Sequence, residues 1–329
     1  MELKDVVVYH DGRYVPYGDA RVGLLTHGLN YGTGCFEGIR GYWDEDHEQI
    51  HLFRLREHFE RMQQSCKILS IRLPHSVDDM CRHATELIRI NAYRQDVYIR
   101  PLAFKAAEEV GVRLHNVRDD FAIVAVAHRN YFDGSHGLRA CVSSWRRMDD
   151  NTAPARAKLT GIYVSSALAK TEAYNNGFDE AILLTNDGHV AEGSAENIFI
   201  VRDGVVITPP VCDNILEGIT RSSLMELCRA ELGVEVAERS IDRSELYVAD
   251  EVFFSGTAVG VSPVIEVDRR TVGQGRVGRI AQTLSDLYHG ITLGRSERYL
   301  RWLTPCFVKA SLSSADVVSV PANMTTRNS

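Results

Sequence analysis

Between Asn130 and Gly137 the run NYFDGSHG is polar and rich in turn residues, and each side of it carries its own strand-like and helix-like stretches. A break of that kind implies two separately packed units, and 329 residues suffice for two substantial cores. The expected organisation is an N-terminal α/β domain over 1–130, a linker over 131–137 and a C-terminal α/β domain over 138–305. Beyond it the chain turns to Ser, Ala, Val and Thr with little periodicity, so 306–329 reads as a disordered tail. The fold class is α+β.

The pattern within each half supports this. In VVVYHDGRYVP the pair Asp11-Gly12 separates two strand-like runs, a hairpin signal. From Leu55 to Leu69 the residues Leu55, Phe59, Met62, Cys66 and Leu69 recur at helical spacing and make one buried stripe. VYIRPLAF and FAIVAVAH read as strands. After the break come a helix from Tyr163 to Asn176, the strand EAILLTN, a strand over HVAEGSAENIFIV and the strand VVITPP. A helix from about Gly218 to Leu232, the strands VEVAERS, EVFFSGTA and PVIEVD, and a helix near Val277 to His289 complete the chain.

Function classes narrow by charge and motif. A formal net charge of -7 argues against a nucleic-acid surface. No stretch approaches roughly eighteen consecutive apolar residues, so no membrane span is expected, and the location expected is the cytoplasm. The seven cysteines are scattered, with no C-x-x-C pair, and fit neither a disulfide framework nor a thiolate metal cage. His47-Glu48-Gln49-Ile50-His51 matches a zinc-protease motif, but its surroundings read as strand, acidic turn, strand, and two histidines at that spacing converge only on a helix. No metal is expected. The glycines Gly273, Gly275 and Gly278 match a dinucleotide fingerprint but follow the polar run Asp268-Arg269-Arg270, and read as a turn before the last helix.

The lysines are Lys4, Lys67, Lys105, Lys158, Lys170 and Lys309, and most read as solvated. Lys158 stands apart in APARAKLTGIY, where small and apolar neighbours would desolvate the amine and ready it for attack on a carbonyl, unless it is simply a buried or ion-paired lysine. Two stretches look built for an anion: Gly218-Ile219-Thr220 at a helix start and Ser255-Gly256-Thr257-Ala258 at a strand end. An activated lysine beside two phosphate-binding loops makes pyridoxal phosphate the economical cofactor.

Several blocks in one order carry a resemblance. They are HGLNYGTGCFEGIRGY (27–42), REHFERM (56–62), VYIRPL (97–102), AKLTGIYVSS (157–166), AEGSAENIF (191–199), LEGITR (216–221) and SGTA (255–258). From Asp5 to Trp302 the chain resembles the fold-type IV, class IV aminotransferases, and among them the branched-chain amino-acid aminotransferases. The resemblance implies two α/β domains with pyridoxal 5'-phosphate at their interface. Lys158 is then the catalytic residue, holding the cofactor as a Schiff base and moving the proton. Arg61, Ile219, Thr220 and Thr257 take the 5'-phosphate, Glu192 the pyridinium N–H and Tyr163 the ring hydroxyl, while Leu216 completes the cofactor set. Substrate binding falls to Phe36, Gly38 and Tyr31, to Tyr98 with the Thr257-Ala258 backbone at the α-carboxylate, and to Arg100 at the γ-carboxylate of glutamate. The four-residue spacing of Glu192 and Glu196 puts both on one strand face, but Glu196 stays outside the catalytic set.

The resemblance further implies ping-pong transfer between L-leucine, L-isoleucine or L-valine and 2-oxoglutarate. Tyr31 belongs to a loop shared across a subunit boundary, so a homodimer or a higher homo-oligomer, up to a hexamer, is expected. Rivals of the same fold are D-amino-acid and (R)-amine transaminases and aminodeoxychorismate lyases. Tyr98, Arg100 and the FEG run at 36–38 favour the branched-chain type.

Overall fold

The computed structural model describes residues 3–128 and 137–307. Most of the expected linker and the tail from residue 308 onward therefore lie outside the described residues.

The opening hairpin forms from β1 (Val7–His10) and β2 (Arg13–Pro16), paired antiparallel with Val7 opposite Pro16. A short helix α1 (His27–Tyr31) leads into β3 (Gly34–Phe36), β4 (Ile39–Asp44) and β5 (Gln49–Phe53). Helices α2 (Leu55–Ile68) and α3 (Val77–Ile90) follow, then the long strands β6 (Val97–Lys105) and β7 (Asp119–Ala127). These strands, joined by Leu303–Pro305 on the β5 edge, make an eight-stranded antiparallel sheet. The apolar stripe of α2 enters the core as expected, with Leu55, Phe59, Met62 and Cys66 buried against Ile39, Ile50 and Ile99.

The second sheet begins with β8 (Leu138–Arg146) and continues, after α4 (Tyr163–Asn175), with β9 (Glu180–Leu184), β10 (Val190–Gly193), β11 (Asn197–Arg202) and β12 (Val205–Thr208). Helix α5 (Ile219–Leu227) runs on through a π turn to Leu232 and is followed by β13 (Val236–Glu238), β14 (Glu251–Gly256), β15 (Gly260–Val267) and β16 (Arg270–Thr271). Helix α6 (Arg279–Thr292) precedes the returning strand β17 (Leu303–Pro305). The nine strands are mixed, with parallel pairing of β8 to β9, β8 to β15 and β12 to β13. Two sheets with flanking helices give the expected α+β class.

Three expectations need correction. HVAEGSAENIFIV is two strands, because the Gly193 N–H donates to the Glu196 carbonyl at 2.7 Å and turns the chain between them. β10 then pairs with β9, whereas β11 pairs with β12 and β14, so Glu192 and Glu196 do not share a strand face. The tail does not start at 306: Cys306 is fully buried and its N–H donates to the Ile50 carbonyl at 2.9 Å, while the Phe307 N–H reaches Gln49 at 2.8 Å. The reading of most lysines as solvated fits Lys4 and Lys67, which are exposed, whereas Lys105 is 2% exposed on Asp119 and the Ser70 carbonyl.

Both motifs set aside in the sequence fall on turns. His47 lies in the β4–β5 hairpin and His51 on β5, and no group of three potential metal-ligating side chains occurs among the described residues. Gly273 and Gly275 shape the loop before α6, which Gly278 opens.

Candidate active site

Lys158 lies in an extended segment fastened at both backbone groups. Its N–H donates to the Ser65 hydroxyl of α2 at 3.1 Å, and its carbonyl accepts the Phe36 N–H of β3 at 3.0 Å. The side chain then projects between the two sheets, where its Nζ donates to the Tyr163 hydroxyl at 2.7 Å and stands 5.0 Å from the centre of the Phe36 ring. Lys105, more deeply buried than Lys158, spends its charge on Asp119, whereas Lys158 meets a hydroxyl and two aromatic faces.

Around this amine one cavity is lined by Arg61, Lys158, Tyr163, Glu192, Leu216, Ile219, Thr220 and Thr257, among others. These eight are the residues assigned to the cofactor from the sequence. An adjoining cavity is lined by Phe36, Gly38, Tyr98, Arg100, Thr257 and Ala258, and shares Arg61, Lys158 and Tyr163 with the first. Tyr31 is the exception. It lines a separate apolar groove, where its hydroxyl accepts the Gly111 N–H at 3.1 Å.

On β6 the two-residue spacing places Tyr98 and Arg100 on one side, and Arg100 Nη2 donates to the Tyr98 hydroxyl at 2.8 Å. The guanidinium lies 4.5 Å from the Phe36 ring centre. Gly38 is glycine for a steric reason: a Cβ there would stand 2.1 Å from the Tyr98 hydroxyl. The wall is thus apolar at Phe36 and cationic at Arg100.

Glu192 is 6% exposed and held from three sides. Arg147 Nη2 meets Oε1 at 2.7 Å, while Asn197 Nδ2 and the Leu216 N–H donate to Oε2 at 3.0 and 3.1 Å. Burial pushes the Glu192 carboxyl up from its ordinary range, and the Arg147 guanidinium and Leu216 amide pull against it. Arg147 and Asn197 escaped the sequence reading, as did Glu37, which grips Arg61 through both carboxylate oxygens at 2.7 Å. Glu37 sits inside the FEG run already singled out, but its partner lies 24 residues away. Glu196 lines both cavities while its Oε2 accepts the Ala195 N–H at 3.0 Å; burial and then the Glu180 charge push its carboxyl up to about 7.

The first cavity suits a phosphorylated aromatic aldehyde. Helix α5 starts at Gly218 without a side-chain cap, so its first N–H groups remain available to an anion. The Ser255 hydroxyl is buried and has no hydrogen-bond partner among the described residues, which suits a polar ligand at that wall. A carboxylate held by Arg147 offers an acceptor to a ring N–H, and Lys158 offers the amine.

Comparison with known proteins agrees in fold and sequence. Residues 34–267 match the family described as amino-transferase class IV. A probable branched-chain-amino-acid aminotransferase of Aquifex aeolicus is 46% identical over 301 residues, 92% of this chain and 97% of the relative. The crystal structure of a branched-chain aminotransferase from the archaeon Thermoproteus uzoniensis, with norvaline, superimposes with a TM-score of 0.88 at 43% identity, covering 92% of this chain and 99% of that one. The branched-chain amino acid aminotransferase of Thermobaculum terrenum, in its PLP-bound holo form, gives 0.89 at 36% identity, covering 93% of this chain and 100% of that one.

Proposed function

The chain belongs to the class IV aminotransferases and is a pyridoxal-phosphate-dependent branched-chain-amino-acid aminotransferase, and we propose that Lys158 is its catalytic residue, serving L-leucine, L-isoleucine or L-valine and 2-oxoglutarate in a ping-pong cycle. The observation that carries the proposal is the sharing of Lys158, Tyr163 and Thr257 by the two cavities, so that one amine faces both cofactor and substrate.

Arg61, the α5 N-terminus at Ile219 and Thr220, and Thr257 would hold the phosphate; Glu192 the ring nitrogen; Tyr163 the ring hydroxyl; and Leu216 would pack alongside. When bound, the cofactor supplies an electron-withdrawing ring that accepts the electron pair left at Cα. The protein does the rest. Lys158 Nζ takes the Cα proton and returns it, and the Tyr163 hydroxyl fixes where that nitrogen stands. Arg147 holds Glu192 Oε1 at 2.7 Å and offsets part of the burial that pushes its carboxyl up. Tyr98 and the Thr257-Ala258 backbone orient the α-carboxylate, Phe36 and Gly38 leave an apolar space for an aliphatic side chain, and Arg100 receives the second carboxylate of glutamate.

A homodimer or larger homo-oligomer belongs to this proposal, because Tyr31 lines a groove apart from the site of its own chain. So does the division into domains over 1–130 and 138–305, with a linker over 131–137. A cytoplasmic location is supported by seven free cysteines.

The test is the visible absorbance of the cofactor-loaded protein on addition of L-leucine and, separately, L-glutamate without any oxo acid. Bleaching of the yellow band by both supports the proposal, and Lys158→Ala should abolish the response in a protein that still folds. A response only to D-amino acids or (R)-amines would assign the chain to another substrate class, and retained turnover in Lys158→Ala would remove that residue from its role.

A further inference from the structure

Glu37 lies between two residues of the substrate wall, yet its side chain turns away and is fully buried beside α2. On α2, His58, Arg61 and Ser65 form a polar row beside the apolar stripe, and Arg61 lines the cofactor cavity. Glu37 Oε1 accepts from Arg61 Nε, and Oε2 accepts from both Arg61 Nη2 at 2.7 Å and His58 Nδ1 at 2.8 Å. A carboxylate can only accept, which assigns the proton of His58 to Nδ1. Burial pulls the His58 imidazole down from its ordinary range, so it is a neutral brace. Against burial, Arg61 and His58 hold the Glu37 carboxyl well below the usual carboxylate range.

The guanidinium has five N–H bonds. Two go to Glu37 and one, from Nη1, to the Glu217 carbonyl at 2.8 Å. One N–H therefore remains on each terminal nitrogen, on a group that lines the cofactor cavity. Glu37 has two opposed effects there. Its charge cancels much of Arg61's attraction for an anion, while its bidentate grip fixes the plane and direction of the fork.

We propose that the second effect governs: Glu37, braced by His58, is a positioning residue that aims the two remaining Arg61 N–H bonds at the cofactor's phosphate. This rests on the reading that Arg61 binds that phosphate. The two effects differ in sign. If charge dominated, neutralising Glu37 would tighten phosphate binding; if positioning dominates, it loosens it.

The experiment measures equilibrium dissociation constants of the full-length apoprotein for pyridoxal phosphate and for pyridoxal, which lacks the phosphate, with inorganic phosphate as competitor. Glu37→Gln should weaken pyridoxal phosphate about tenfold to a hundredfold, weaken competition by inorganic phosphate in parallel, and leave pyridoxal within about twofold. Added to Arg61→Lys, it should cause no further loss. Glu37→Asp, which keeps the charge but withdraws the grip by one methylene, should show the same phosphate-selective loss and carries the test if Glu37→Gln does not fold. Unchanged or tighter binding in Glu37→Gln, or equal loss of both ligands in the folded variants, would overturn the proposal while leaving Arg61 in place. Unaltered affinity in Arg61→Lys would instead remove the phosphate role of Arg61, and this proposal with it.

Discussion

Glu196 is half-buried on the rim that both cavities share, and its carboxyl is pushed up to about 7 by burial and by Glu180. In the unfolded chain the group returns to its ordinary value of 4.5. Between these two values the folded protein binds the proton more tightly, so its contribution to stability is fully present below 4.5 and is lost as pH rises through about 7. Glu196→Gln should therefore leave the melting temperature unchanged near pH 4 and raise it at pH 8, seen as a flatter stability profile by calorimetry; a parallel shift at both pH values would contradict the titration. Arg100 is read by a different measurement. Because its guanidinium lines the substrate cavity beside Tyr98 and would pair with the second carboxylate that leucine lacks, Arg100→Gln should raise KM for glutamate and 2-oxoglutarate about tenfold or more, with a much smaller change for leucine. Equal losses for both donors would reject the dual-substrate role.

Helix α5 shows how an element sets the site. Its N-terminus meets the cavity at Gly218, where a Cβ would come within 1.9 Å of Asn197 Oδ1, and Asn197 is one of the groups holding Glu192. Gly218→Ala should therefore displace Asn197 and weaken cofactor binding about tenfold. Ser76→Ala at the start of α3, which removes one half of a capping box remote from the cavity, should cost about 1 kcal/mol in urea unfolding and leave cofactor affinity unchanged. Comparable loss of cofactor in both variants would show that the effect is global destabilisation. The same contrast explains what could be read in advance. The stripe of α2, the hairpin at Asp11-Gly12 and the helix start at Gly218 are written in consecutive or helically spaced residues, and so were legible. The break inside HVAEGSAENIFIV was hidden because the turn is made by a backbone hydrogen bond that composition does not announce. Arg147 beside Glu192 and Glu37 beside Arg61 are long-range ion pairs, and no local spacing marks which charges meet.

At the scale of the whole molecule, several large apolar side chains stand exposed among the described residues. Leu24 is 85% exposed, Val110 84%, Val112 76%, Val164 62% and Leu29 61%, and Leu29, Val164 and Tyr31 line one groove. Burial of that groove by a second copy would bring Tyr31, which lies apart from the site of its own chain, toward a neighbouring substrate site, whereas Arg61, Lys158, Tyr163, Glu192 and Thr257, proposed to hold the cofactor, already line one cavity within one chain. Losing the interface should therefore separate two properties. Leu29→Asp, at a largely exposed position on the groove wall, should yield a monomer by light scattering that still binds pyridoxal phosphate but turns over leucine about tenfold more slowly or worse. A monomer of full activity would show that Tyr31 is not needed from a partner, and an intact oligomer in Leu29→Asp would move the interface away from this groove. Adding Tyr31→Phe to an oligomer-competent chain completes the argument, since a lower kcat with unchanged assembly and unchanged cofactor affinity assigns the loss to the hydroxyl alone.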